Sequence, residues 1–219
     1  MSGADGVFVT GTGTEVGKSV VAAVIARTAA AGGRDVAVFK PAVSGLDEAG
    51  EGDHELLRRA AGSAQSDDEI APYRYGPSVS PHLASEMAGE EIAPGRLADV
   101  AERAGAGADA LVCEGVGGLL VPLAPEYLVR NLAADLGFPV VIVASPGLGT
   151  INLTLLTIEA AWAAELETRA VVITPWPDVP SEMELSNRAT IARLGAVEVL
   201  TLSEIDLAEP AGWPELDLV

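Results

Sequence analysis

Lys18 and Ser19 follow Gly17 at the end of a stretch, residues 7–19, that reads VFVTGTGTEVGKS. A β-branched apolar run (Val7, Phe8, Val9) enters a loop of small residues, and an alanine-rich helical pattern begins as the loop closes. Strand, glycine-rich loop and helix in that order form a phosphate-binding device. Backbone N–H groups at a helix N-terminus converge on phosphate oxygens, and the helix dipole favours an anion there. In such a loop Lys18 would reach the β- and γ-phosphates of a nucleoside triphosphate, and the Ser19 hydroxyl would ligate Mg²⁺. The candidate nucleotide contacts are Gly13, Thr14, Glu15, Val16, Gly17, Lys18, Ser19 and Val20. The usual pattern has its first glycine where Thr12 stands, with Gly11 and Gly13 on either side. Of the 13 basic residues only Lys18 and Lys40 are lysine. Lysine is a compact point charge and arginine a wide fork, so the pattern singles out Lys40 as a second candidate for work on phosphate.

The elements that must position these residues follow from apolar patterning. Helical patterns are expected over 20–31, 54–61, 82–88, 94–104, 127–136, 151–166 and 182–194. Strands are expected over 7–9, 35–39, 109–113, 138–144, 169–174 and 197–200, with loops over 42–52, 63–80 and the Pro210 and Pro214 tail. Asp53 stands where an N-cap would open its helix. Near-continuous apolar strands alternating with helices imply an α/β fold, a mostly parallel sheet with helices on both faces, in one domain over 1–219. Ligands in such folds bind beyond the carboxyl ends of the strands. The phosphate loop, Lys40, Glu114 with Gly115, Gly117 and Gly118, the segment 145–149 and Thr174 all follow strands. They should meet on one rim.

Composition removes several alternatives. The formal net charge is −19 with no basic stripe, which argues against nucleic-acid or anionic-membrane partners. The one cysteine, Cys113, has no partner for an internal disulfide, as expected of a cytoplasmic chain, and lies in an expected core strand. The opening MSGADG has no export-signal pattern, and no uncharged apolar run reaches the roughly 18 residues of a membrane span. His54 and His82 lack a second His or Cys at ligand spacing, and the three tryptophans are scattered.

Six stretches in order, GTGTEVGKS (11–19), KPAVSG (40–45), GDHELL (52–57), SPHLA (80–84), CEGVGGLLVPL (113–123) and GLGTINLTLLT (147–157), resemble the dethiobiotin synthetase family. The resemblance implies a phosphate-loop NTPase fold and an ATP- and Mg²⁺-dependent ligase of biotin biosynthesis. Its substrates would be 7,8-diaminononanoate and CO₂ (or bicarbonate), joined through a carbamate and a carbamic–phosphoric anhydride to a cyclic urea. The resemblance implies Lys18, Lys40 and Thr14 at the reacting centre and Ser19, Asp53 and Glu114 on the metal, with Glu114 also beside the nucleotide. Lys40, Ser44, Ser80, Gly117, Gly149 and Asn152 would hold substrate. It also implies a homodimer, with the substrate's carboxylate tail near Asn152 at the subunit interface.

One departure concerns the base. The family commonly has an asparagine after the strand at 171–173; here Thr174 and Pro175 stand in that place and are the further candidate nucleotide contacts. A hydroxyl cannot make the paired donor–acceptor contact of an amide with adenine, so the co-substrate is ATP or another NTP. A related amidoligase would carry a glutamine-hydrolysing domain for which the chain has no room. The alternative from another class is a partitioning or septum-positioning ATPase switch. Those carry an extra lysine early in the loop, where this chain has Gly11–Thr14.

Overall fold

The computed structural model describes residues 4–48 and 50–219. Two expectations fall partly outside these residues: the export-signal reading on residues 1–3 and the loop reading at residue 49. Six parallel strands form one sheet in the order β2-β3-β1-β6-β7-β8. They are β1 (Asp5–Gly11), β2 (Val36–Phe39), β3 (Ala110–Gly118), β6 (Val140–Ala144), β7 (Thr168–Trp176) and β8 (Val199–Ser203). A small antiparallel pair, β4 (Pro122–Ala124) and β5 (Tyr127–Leu128), stands apart. The helices are α1 (Lys18–Ala31), α2 (Asp53–Ala61), α3 (Asp67–Ile70), α4 (Pro81–Ala88), α5 (Pro94–Gly105), α6 (Val129–Leu136), α7 (Thr150–Trp162) and α8 (Glu182–Gly195). The α/β class and the parallel sheet are as the sequence implies.

The strands are apolar throughout because both faces are covered. Alternate residues sort into two cores. Val7, Val9, Val36, Val38, Val112, Val141 and Val143 pack with α1 and α2. Phe8, Ala37, Phe39, Cys113, Ile142 and Ile173 face the opposite layer, which includes Leu97, Leu132 and Ile158. The chain end joins the first core: Trp213, Leu216 and Leu218 are buried against it. Each large apolar side chain taken out of water contributes about 1.5–3 kcal/mol. The tail, expected to be plain loop, is thus a packed strap over α1, with the Leu216 amide donating to Thr28 Oγ1 at 3.0 Å.

Register positions the chemistry. β2 pairs with β3 through Phe39↔Cys113, so the next residues on the two strands, Lys40 and Glu114, stand side by side. By alternation both point to the α1/α2 face, opposite to Phe39 and Cys113. The first turns of α1 and α2 carry Ser19 and Asp53 to the same face.

Several local expectations are corrected. Asp53 is the first residue of α2 and its cap is Gly52, whose N–H donates to Glu55 Oε2 at 2.8 Å. Glu55 thus serves the helix end, and the Asp53 side chain is left for other partners. β3 runs on through Glu114 and its glycines, because Gly115, Gly117 and Gly118 let neighbouring strands and side chains approach closely. A Cβ at Gly118 would lie 3.1 Å from the Gly11 carbonyl oxygen. The pair β4–β5 occupies the region before α6, so that helix starts at Val129 rather than 127. Within 63–80 the short helix α3 forms on an acidic first turn, with the Ser66 N–H donating to Glu69.

Candidate active site

A cavity of about 620 Å³ opens at the carboxyl edge of the sheet. It is lined by Thr14, Glu15, Gly17, Lys18, Ser19 and Val20 from the phosphate loop, by Lys40, Ser44, Asp53, Glu114 and Gly117, and also by Glu51, Ser78 and Leu207. A second cavity of about 450 Å³ adjoins it, sharing Ser44, Glu51, Asp53 and Ser78. The structure therefore brings together most of the residues singled out by sequence, from the ends of β1, β2 and β3 and the starts of α1 and α2.

The loop is shaped by glycine. Gly17 precedes α1 with φ 90°, and a Cβ there would meet Thr174 Cγ2 at 2.7 Å. Glu15 also has positive φ, 59°. Lys18 is buried and turns back on the loop, donating to the Gly13 carbonyl oxygen at 2.8 Å. Burial pulls its pKa below the ordinary lysine value, with Glu114 opposing.

The centre is a ring of four side chains. Ser19 Oγ lies 2.9 Å from Asp53 Oδ1 and 2.8 Å from Glu114 Oε1. Lys40 Nζ lies 2.8 Å from Asp53 Oδ2 and 2.7 Å from Glu114 Oε1. Lys40 is 3% exposed and Glu114 0%. Burial alone would discharge Lys40, but Glu114 and Asp53 more than offset it and hold its pKa above the usual value. Burial likewise opposes ionisation of Asp53, and Lys40 outweighs it to hold the carboxyl below its ordinary range. Glu114 is pushed up, by burial first and by Asp53 as well.

The ring fits a hard divalent cation. Three oxygens from separate elements converge, the donor class that Mg²⁺ takes. A hydroxyl has one proton, so Ser19 cannot donate to both carboxylates at once. Glu114 Oε2 is buried with no hydrogen-bond partner among the described residues. Buried acceptors left in this state are costly unless a cation or proton joins them.

Thr174, Pro175, Gly149, Asn152 and Ser80 are not among the residues that line this cavity. Thr174 is buried against Gly17 at the end of β7, joined to an exposed Pro175 by a cis bond. Gly149 caps α7 with φ 95°, and Asn152 is exposed on its first turn. Ser80 caps α4 and does not line the cavity. Sequence reading missed Ser78 and Leu207, which line the cavity, and Asn187. The Asn187 amide, buried in α8, donates to the Pro146 carbonyl at 3.0 Å and fastens the loop before α7. A lone asparagine in a polar helix gives no signal of this. Cys113 is a core residue whose thiol burial pushes far up, away from thiolate chemistry.

Fold and loop together define a phosphate-loop nucleotide-binding α/β protein. A family model described as an AAA domain matches residues 5–206. Among solved structures, a ParA family ATPase from Chlorobium tepidum superposes with TM-score 0.56 at 13% identity, covering 93% of this chain and 88% of that one. The signal recognition particle 54 kDa protein of Aeropyrum pernix gives 0.53 at 17%, covering 94% and 43%. These distant likenesses establish the fold alone.

Closer relatives are found by sequence. The ATP-dependent dethiobiotin synthetase of Anaeromyxobacter dehalogenans (strain 2CP-1) is 41% identical over 209 residues, 94% of this chain and 93% of that one. Its namesake from Rhodococcus erythropolis is 40% identical over 197 residues, 89% and 86% of the two chains. That from Bacillus subtilis subsp. natto is 35% identical over 196, covering 89% and 85%. The chain belongs to the ATP-dependent dethiobiotin synthetase family.

Gly17→Ala should uncouple loop from fold. A non-glycine residue held at such a φ costs about 1–3 kcal/mol, and the added methyl also strikes Thr174. Titration calorimetry should show nucleotide affinity falling about tenfold or more, in step with that penalty. The far-ultraviolet circular dichroism spectrum should be unchanged.

Proposed function

We propose that this protein closes 7,8-diaminononanoate and CO₂ to dethiobiotin at the expense of ATP or another nucleoside triphosphate. The observation that carries the reading beyond family membership is the Lys40–Glu114–Asp53–Ser19 ring, with Lys40 and Glu114 buried, placed in one cavity with the phosphate-loop Lys18. A plain nucleotide switch has no need of a second buried ammonium beside the γ-phosphate position. Gly13 also replaces the extra loop lysine of the partitioning ATPases.

The chemistry follows from charge. One substrate amine adds to CO₂ and loses a proton to give a carbamate. A carbamate oxygen attacks the γ-phosphorus and the nucleoside diphosphate leaves. The second amine then attacks the carbamoyl carbon and loses a proton, the C–O bond to the phosphoryl group breaks, phosphate departs, and the ring is closed. Each intermediate is anionic, so fixed positive charge is the main catalytic resource. Lys18 would hold the transferring phosphoryl group and Lys40 the carbamate, with Thr14 and the loop N–H groups on phosphate oxygens. Ser19, Asp53 and Glu114 would hold Mg²⁺, which supplies charge neutralisation on the phosphates. Ser44 and Gly117 lie in the cavity where the diamine would sit. Gly149, Asn152 and Ser80 are assigned to substrate on family resemblance. No protein nucleophile is required, because the carbamate attacks phosphorus itself.

The exposed apolar side chains of α7, Leu153 and Leu156, lie beside the equally exposed Leu120. We infer that a second copy of the chain covers this patch, which brings Asn152 to the interface. Among the described residues no helix is long and apolar enough to cross a membrane. We read the protein as a cytoplasmic homodimer, and Leu153→Glu with Leu156→Glu should convert a dimer to a monomer in light scattering. A wild-type monomer would refute the interface.

Phosphate release should require both the diamine and bicarbonate; release that ignores the diamine would overturn the reading. Lys40→Gln should abolish dethiobiotin formation, followed by mass spectrometry, while nucleotide binding stays within a few-fold of wild type.

Thr174 lacks the amide that reads adenine. Initial rates with ATP, CTP and GTP should therefore differ by less than about tenfold, a gap worth about 1.4 kcal/mol. A steep preference for ATP would show that another group reads the base.

A further inference from the structure

We propose that Lys40 is the built-in counter-ion of the two metal-binding carboxylates, so that free divalent cation is kept out and metal enters only with a triphosphate. The inference rests on the metal site proposed above. Its basis is that one ammonium and the expected cation need the same oxygens. Lys40 Nζ bridges Asp53 Oδ2 and Glu114 Oε1, and Glu114 Oε1 also meets Ser19 Oγ, the third oxygen of the set.

Geometry makes the two cations exclusive. Lys40 and Glu114 are almost wholly out of water, so solvent cannot screen an ammonium from a divalent ion on the same carboxylate. Ser19 and Lys40 both use Glu114 Oε1, while Oε2 stays without a partner. The local balance points the same way. Lys18 and Lys40 offset Asp53 and Glu114, and the four charges sum to zero. The cluster by itself therefore holds no surplus of negative charge for a free cation.

A triphosphate changes both terms. Its γ-phosphate enters beside Lys18 and offers Lys40 new anionic acceptors. The ammonium can then leave the carboxylates as the cation takes them. The same move delivers Lys40 to the side of the phosphate where the acceptor must stand. Metal loading and presentation of the catalytic ammonium thereby become one event.

The probe is Mn²⁺ alone, titrated at pH 8 and followed by the paramagnetic resonance of the free ion. Wild type should bind it weakly. Lys40→Met, which keeps the stem and drops the charge, should bind at least tenfold more tightly, and Lys40→Arg should stay as weak as wild type. Equal affinity in wild type and Lys40→Met overturns the proposal. The metal-site reading fails separately, if Asp53→Asn added to Lys40→Met leaves Mn²⁺ affinity unchanged. A second measurement needs no change at Lys40. The chain has only two lysines, so ¹⁵Nζ-lysine labelling gives two ammonium signals, told apart with Lys18→Arg. Millimolar Mg²⁺ alone should leave the Lys40 signal in place, and Mg²⁺ with a non-hydrolysable ATP analogue should move it. A Lys40 signal that moves with Mg²⁺ alone overturns the proposal.

Discussion

A carboxylate at 0% exposure in a central parallel strand is the constraint on which this structure turns. Glu114 interrupts a run of apolar residues on β3, and leaving a buried charge without its partner costs about 3–5 kcal/mol. Its neighbours make the position tenable. Lys40 meets it because β2 and β3 pair in register, and Ser19 because α1 starts above the strand next door. Glu114 and Lys40 thus answer a folding problem as well as serving the chemistry proposed for them. The strand order that makes the core also determines which groups can face each other at the rim.

That arrangement separates what could be read from the sequence and what could not. The strands were legible because residues buried on both faces must be apolar without interruption, as in Val140–Ala144. The phosphate loop was legible because the phosphate chemistry dictates residue types at fixed spacing. Lys40 stood out through the scarcity of lysine. Asp53 was ambiguous, because an aspartate before an amphipathic run reads as a cap whether or not it serves as one. Only the Gly52 N–H to Glu55 contact resolves it. The hairpin β4–β5 and helix α3 are too short to show a period. Ser78, Asn187 and Leu207 reach their places through tertiary folding alone.

The two lysines share a condition that sharpens the functional argument. Both are satisfied by protein oxygens, Lys18 by Gly13 and Lys40 by Asp53 and Glu114. On the function proposed above, the ammoniums of this internally bonded cluster would exchange protein partners for ligand oxygens. Such an exchange costs less than burying a bare charge, since each ammonium is already stripped of water. It also favours ligands that offer several anionic oxygens together.

The acidity of the chain then ceases to be a paradox. A net charge of −19 opposes the approach of a triphosphate at long range. At physiological ionic strength the Debye length is about 8 Å, so most surface carboxylates are screened from the loop. Within that radius the balance is local: two buried ammoniums and the N-terminus of α1, entered through Gly17. Two of the nearest carboxylates, Asp53 and Glu114, are bridged by Lys40, and Lys18 supplies the second positive charge that offsets the pair. The same acidic surface favours the diamine of the proposed reaction, which carries two amines. A negative field that slows the nucleotide draws the diamine, and the site corrects for the nucleotide at close range.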